Sequence, residues 1–306
     1  MTPTRIAIDG GGLLAASVLR ALAGRDDFEL VALNAPPGSS DADAHVGGAD
    51  AGCADFVRLR ERDTRRLPWK RHAVDIVLDC TGGDARAHLQ AGARKVLSCA
   101  PAGAAVDATV VYGINHGALR DSHLRVHSAC RATHGIAPVA RVLHDALGIS
   151  NAMLTAVHSR PHDADPGEGA LPQRTGAAEH LHRVLPELDH CFDETEPMRI
   201  PGVHASLVGM VFVAERASSV EEVNSLMQAA AFGDWADIVR YGDTPFTTAL
   251  SDRDTRSCIF ESGWTQVSGR VVKVCAGYRG DLGYAHRVVD TARAMHRPPQ
   301  PLIPSP

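Results

Sequence analysis

The first place where residue type and spacing could do chemistry is Asp9-Gly10-Gly11-Gly12-Leu13-Leu14-Ala15, a G-x-G-x-x-A turn. Glycines there permit a tight turn and a close backbone approach. A helix starting behind them would offer free N–H groups to a pyrophosphate. Glycine turns are common, so this one gains weight only from its flanks. The seven cysteines, Cys53, Cys80, Cys99, Cys130, Cys191, Cys258 and Cys275, are scattered and free of CxxC spacing. In a chain this long that pattern points to reduced thiols in a cytoplasmic setting, not to a disulfide framework. The 16 histidines include no HExxH and no Cys/His pairs at zinc spacing. His158, His162, Asp163 and Asp165 read as a polar loop, and no metal site is expected.

The elements around the glycine turn are those of a nucleotide-binding fold. Arg5–Asp9 is a short apolar strand, Leu13–Ala23 has helical spacing, and Glu29–Asn34 is a second buried strand. Ala35 to Gly52 reads as a long loop. Strands resume at Asp75–Cys80 and Lys95–Cys99, with a helix over 84–91 between them, then at Thr109–Tyr112 and Val126–Ser128. An alanine-rich helix is expected over 132–147. After Gly148 the pattern alternates, in Ile149–His158, His204–Ala214 and Val271–Cys275, as suits an antiparallel sheet packed on helices. Ser219-Val220-Glu221-Glu222 is a capping box opening a helix. A final helix over 285–295 precedes a Pro-rich tail, Pro298–Pro306, that cannot be helical.

Composition narrows the function classes. The chain has 306 residues, 44% hydrophobic and 22% charged, with a formal net charge of −5. That suffices for two domains with real cores. It lacks the concentrated basic surface that nucleic acid or an anionic membrane requires. The one basic run, Arg58 to Arg71, is interleaved with Glu61, Asp63 and Trp69 and reads as a solvated face. No signal peptide and no membrane span are expected.

A longer series of motifs identifies a relative. Asp79-Cys80-Thr81-Gly82, then A-H-L-Q-A-G-A-R-K-V-L-S-C-A-P, then Y-G-I-N-H ending at His116, resembles the "ECTG … AHLxxGAKKVIISAP … MGVNH" of phosphorylating glyceraldehyde-3-phosphate dehydrogenases. Gly135-Ile136-Ala137-Pro138 resembles "CLAP", and Thr155-Ala156-Val157-His158 resembles "TTVH". Thr175-Gly176-Ala177-Ala178, Val184–Leu188, Met198–Pro201 and Gly283–Asp290 continue the match in order over nearly the whole chain. The resemblance implies an α/β fold: a Rossmann-type dinucleotide-binding domain plus an α+β catalytic domain with a mainly antiparallel sheet. The first would comprise 1–130 with the terminal helix 285–297, the second 131–284, and 298–306 would be the tail. It further implies a cytoplasmic homo-oligomer, dimer or tetramer, using NAD or NADP on a small phosphorylated or acidic ligand. In that family a cysteine thiolate attacks an aldehyde, a histidine assists, and phosphate cleaves the thioester. Cys130 and His158 would take the catalytic roles. Gly10, Gly12, Leu13, Leu14, Asn34, Thr81, Gly82 and Cys99 would lie along the cofactor. Arg199, Thr175 and Arg131 would face anions.

The sequence also departs from the family. Counted back from Pro138 without a gap, the nucleophile position falls on Arg131, and Cys130 lies one residue early. Cys130 is therefore either a displaced nucleophile or a plain buried thiol. In the nucleotide pocket the family's Arg, Asp and Asn are replaced by Leu13, Ala35 and Gly280. The family's long loop between His158 and Thr175 is reduced to residues 159–174, so intersubunit packing must differ. Two readings stay open: an NAD(P)-dependent aldehyde oxidoreductase of divergent specificity, or a degenerate homologue without that activity that binds a small phosphorylated ligand or a protein partner.

Overall fold

The computed structural model describes residues 2–38, 56–99, 106–160, 175–195, 197–201, 206–242, 254–278 and 281–296; the side chains at 158–160 and 199–201 are not among those described. Cys53, His162, Asp163, Asp165, Gly280, most of the 35–52 loop and the Pro298–Pro306 tail lie outside the described residues. The chain divides into two compact units, Met1–Ala129 with Ala285–Pro306, and Cys130–Tyr284.

The first unit is built on a seven-stranded sheet of β1 (Thr4–Asp9), β2 (Phe28–Asn34), β3 (Val57–Leu59), β4 (Ile76–Asp79), β5 (Lys95–Ser98), β6 (Ala108–Thr109) and β7 (Arg125–His127). Its order is β3-β2-β1-β4-β5-β7-β6, and every pairing is parallel. A parallel sheet is covered on both faces, so its strands must be apolar throughout. Ile6, Ala7, Ile8, Val77, Leu78, Val96 and Leu97 are accordingly all fully buried. Helices α1 (Gly12–Leu22) and α2 (Ala85–Gln90) follow β1 and β4. This is the Rossmann-type arrangement expected. Strand β6 is shorter than the expected 109–112. The Asn115 side chain accepts from Val111 N at 2.9 Å and donates to Thr109 O at 2.8 Å, so it takes over the ladder's backbone groups and ends the strand. In the basic run the arginines are exposed as expected, but Leu67 and Trp69 are buried in the core with Val31 and Val77.

The second unit opens with α3 (Arg131–Leu147) and β8 (Asn151–Arg160), followed by α4 (Ala177–Val184), β9 (Phe192–Glu194), β10 (Met198–Pro201), β11 (Ser206–Val213), α5 (Val220–Phe232), β12 (Val239–Gly242), β13 (Cys258–Glu261), β14 (Gln266–Ser268) and β15 (Val271–Tyr278). The strands form one sheet in the order β10-β8-β11-β15-β13-β12, with β14 on β15 and β9 on β8. Its centre, β8-β11-β15-β13, is antiparallel; β10, β9 and β12 join in parallel. Alternation works as the sequence suggested. Val208, Met210 and Phe212 of β11 are buried beside Ala276, Val274 and Val272 of β15, while Val211 faces outward. Helix α3 packs on β11, β13 and β15 and against α4 and α5. The Ser219 half of the capping box forms: Ser219 Oγ accepts from Glu222 N at 3.2 Å, while the Glu222 carboxylate pairs with Arg216.

The last helix, α6 (Leu282–His296), belongs to the first unit from Ala285 onward. There Lys95 Nζ donates to Met295 O at 2.7 Å and Arg287 pairs with Asp290 at 2.9 Å. Among the described residues no helix is long and apolar enough to cross a membrane.

Candidate functional site

In the second unit the chain reaches Cys130 through Ala129, whose φ of +24° is unusual for a residue with a side chain. Cys130 is the N-cap of the 17-residue helix α3, and its extended backbone turns Sγ onto the first helical turn. The sulfur lies 3.0 Å from Thr133 Oγ1. Cys130 N donates to His180 Nδ1 at 3.2 Å, and Thr133 Oγ1 is 3.5 Å from the same nitrogen. A backbone N–H can only donate, so His180 Nδ1 must accept, which puts the ring proton on Nε2. Burial, with help from Arg183, pushes the His180 pKa down to about 4, so the ring is neutral at ordinary pH. Burial pushes the Cys130 thiol up; hydrogen bonds from Thr133 oppose this and the Glu194 charge adds to it. The resting group is therefore a thiol, despite the favourable end of a helix dipole beside it.

Arg131, at the first position of α3, pairs with Asp281 at 2.8 Å and stands over the Tyr284 ring at 5.8 Å. Its charge is engaged within the unit, and nothing in this geometry reserves it for an anion. The slip between Cys130 and Arg131 falls between the N-cap and the first residue of α3. Thr175, an expected anion contact, gives both its N–H and its hydroxyl to the buried Glu194 carboxylate. His158 and Arg199 are register partners of β8 and β10; their side chains lie outside the described set.

In the first unit the glycine turn has the expected form. Gly10 has φ +126°, and a Cβ there would stand 3.0 Å from Cys80 Cβ, so only glycine fits. Gly11 caps α1 without a side-chain bond, which leaves the helix N–H groups for a ligand. Leu13 is exposed at this turn and Leu14 is buried. Gly82 also has positive φ, and Thr81 binds Asp79 Oδ1 through its N–H at 2.8 Å and its hydroxyl at 2.6 Å. Cys99 is buried. Asn34 is buried and committed: its Nδ2 donates to Asp9 Oδ1 at 2.7 Å and to Glu61 O at 3.0 Å, while its Oδ1 accepts from Glu61 N at 2.9 Å. Ala35 follows with no acceptor of its own.

Sequence reasoning missed the buried group of Asp9, Asp79 and His88, whose ligand-type atoms lie within 4.8 Å of one another. His88 Nε2 is 3.4 Å from Asp9 Oδ2, and His88 Nδ1 accepts from Trp69 Nε1 at 3.0 Å. An indole N–H only donates, so His88 must carry its proton on Nε2, facing Asp9. That proton stands where a metal would have to be. Burial, reinforced by Asp79, raises the Asp9 pKa to about 7, and burial lowers that of His88. The group stores a proton between strand ends. Thr133, His180 and Glu194 were missed as well. Thr133 stands three residues after Cys130, within the motif that ends at Pro138, where it matches the family's second Thr; His180 and Glu194 belong to no motif, and only chain folding brings His180 to Cys130.

A protein family described as "Glyceraldehyde 3-phosphate dehydrogenase, C-terminal domain" matches residues 129–279. The chain is 37% identical to a glyceraldehyde-3-phosphate dehydrogenase of Pseudomonas aeruginosa and 35% identical to the plasmid-encoded one of Cupriavidus necator. Each alignment covers 95% of this chain and 98% of the relative. A third relative, from Xanthobacter flavus, is 36% identical over the same shares. With matches of this length and identity, the chain belongs to the glyceraldehyde-3-phosphate dehydrogenase family.

Proposed function

We propose that the chain is an NAD(P)-dependent aldehyde oxidoreductase of divergent specificity that acts through the Cys130 thiol. The observation that carries this reading is the placement of Cys130 Sγ at the N-terminus of α3, 3.0 Å from the Thr133 hydroxyl. A thiolate formed there meets a hydrogen-bond donor and the positive end of a helix. In this reading the first unit holds the dinucleotide and the second carries the catalytic residues.

The residues of the first unit suit part of such a cofactor. The Gly10–Gly12 turn and the uncapped N-terminus of α1 fit a pyrophosphate. The ribose end is poorly served, because Asn34 is committed internally and Ala35 has no acceptor. When bound, the nicotinamide would supply the hydride acceptor. The chain's own contribution is the Cys130 sulfur, which forms the C–S bond to the aldehyde carbon. His158, at the end of Thr155–His158, is the candidate base for the oxidation that follows.

A second reading, a homologue that has lost dehydrogenase activity and binds a small phosphorylated or acidic ligand, is favoured by three observations. Arg131 is tied to Asp281, Asn34 is locked, and burial raises the Cys130 pKa. Calorimetric titration with NAD and NADP separates the two, followed by an aldehyde screen with Cys130→Ser as control. Micromolar binding and turnover that Cys130→Ser abolishes support the oxidoreductase. No binding at millimolar nucleotide leaves the second reading.

A further inference from the structure

The turn that leads into α4 is built like an oxyanion site, and the protein fills it with its own carboxylate. Gly176 is left-handed, with φ +74° and ψ 14°. Successive N–H groups on such a turn form a concave nest for an anion. Thr175 N and Thr175 Oγ1 donate to Glu194 Oε1 at 2.7 Å and 2.5 Å, and Ala177 N donates to Glu194 Oε2 at 3.0 Å. Glu194, at the end of β9, is 8% exposed. A carboxylate that deeply buried persists only with such donors. His180 links the nest to the thiol residue: a Cβ on Gly176 would lie 3.6 Å from His180 Cε1, and His180 Nδ1 accepts from Cys130 N at 3.2 Å.

We propose that Glu194 is a specificity-determining residue: an internal anion that occupies the oxyanion nest near Cys130 and closes it to free oxyanions such as inorganic phosphate. Three donors converge on its two oxygens, so its role is to fill the site. One consequence rests on the dehydrogenase reading. An acyl group carried on Cys130 leaves to water: the C–S bond breaks, a C–O bond forms to the water oxygen, one water proton returns to Sγ and the other goes to solvent. The product is a free carboxylate and not an acyl phosphate.

The test uses the full chain and inorganic phosphate as the probe, read by calorimetry. The wild type is expected to show no saturable binding at Thr175 in the millimolar range. Glu194→Ala is expected to gain it, by roughly tenfold or more in affinity. Adding Thr175→Val should remove the gain. The proposal is overturned if the wild type binds as tightly as Glu194→Ala, if the folded variant gains nothing, or if the gain survives Thr175→Val. Should Glu194→Ala fail to fold, Glu194→Gln serves in its place, together with the melting temperature of the wild type in phosphate against chloride at equal ionic strength. A phosphate-specific rise in the wild type that Thr175→Val abolishes overturns the proposal; an unmoved melting temperature is the expected result. None of these readouts needs turnover, so a chain without dehydrogenase activity but with this phosphate behaviour refutes the earlier reading alone.

Discussion

Replacing Asp9 with Asn should change how stability depends on pH. Asp9 is 2% exposed, and burial raises its pKa from 3.8 to about 7. Between those values the folded chain holds a proton on Asp9 that the unfolded chain has released. Stability from this group is therefore fully present below the unfolded value and is lost as pH rises through the folded one. The slope is about −1.4 kcal/mol per pH unit, and over about three units the loss sums to about 4 kcal/mol. Asn carries no titrating proton. It can keep the bond from Asn34 Nδ2, but it sets an amide N–H near the Nε2 proton of His88, at a cost that does not vary with pH. The stability difference, variant minus wild type, should rise by several kcal/mol between about pH 4 and pH 7 and then level off. Urea unfolding of both proteins, followed by circular dichroism across this range, gives the difference directly. Parallel profiles would refute the assignment of the stored proton to Asp9.

Other consequences are simpler to measure. Trp69→Phe strips the donor from buried His88 Nδ1 and should cost about 1–3 kcal/mol in denaturant unfolding. It also frees the ring to move its proton to Nδ1, so zinc should raise the melting temperature of the variant and not of the wild type. Iodoacetamide should modify Cys130 slowly at neutral pH, with a rate that climbs only above the ordinary thiol range. Thr133→Val should move that profile further up, because the hydroxyl favours the thiolate. Gly135→Ala places a Cβ 2.9 Å from Tyr278 Cδ1 against a buried ring. Overpacking of about 1–3 kcal/mol outweighs the gain in helix propensity of about 1 kcal/mol, and the melting temperature should fall.

The elements of both units were legible because each is specified locally. Ile6–Ile8 is continuously apolar and forms a doubly covered strand; Val208, Met210 and Phe212 alternate and form a one-sided one. Where the sequence reading differed, a side chain from elsewhere had intervened. Asn115 ends β6 by taking its backbone groups, and Trp69 leaves a basic run to bind His88. Neither event leaves a trace in the periodicity of its own segment.

The site residues were harder to read for the same reason, and the electrostatics make the point sharper. The motif places Cys130 one residue before the nucleophile position and says nothing of its charge state. That state is set by burial, by Thr133 three residues on and by Glu194 at the end of an edge strand. Thr175 likewise matches an anion contact by sequence, yet the anion it holds is supplied by a residue 19 positions further along the chain. A family motif preserves the donors of a site more readily than it reveals their partner. A carboxylate outside every quoted motif can therefore fill such a site while leaving the resemblance intact, as Glu194 does at Thr175 and Ala177.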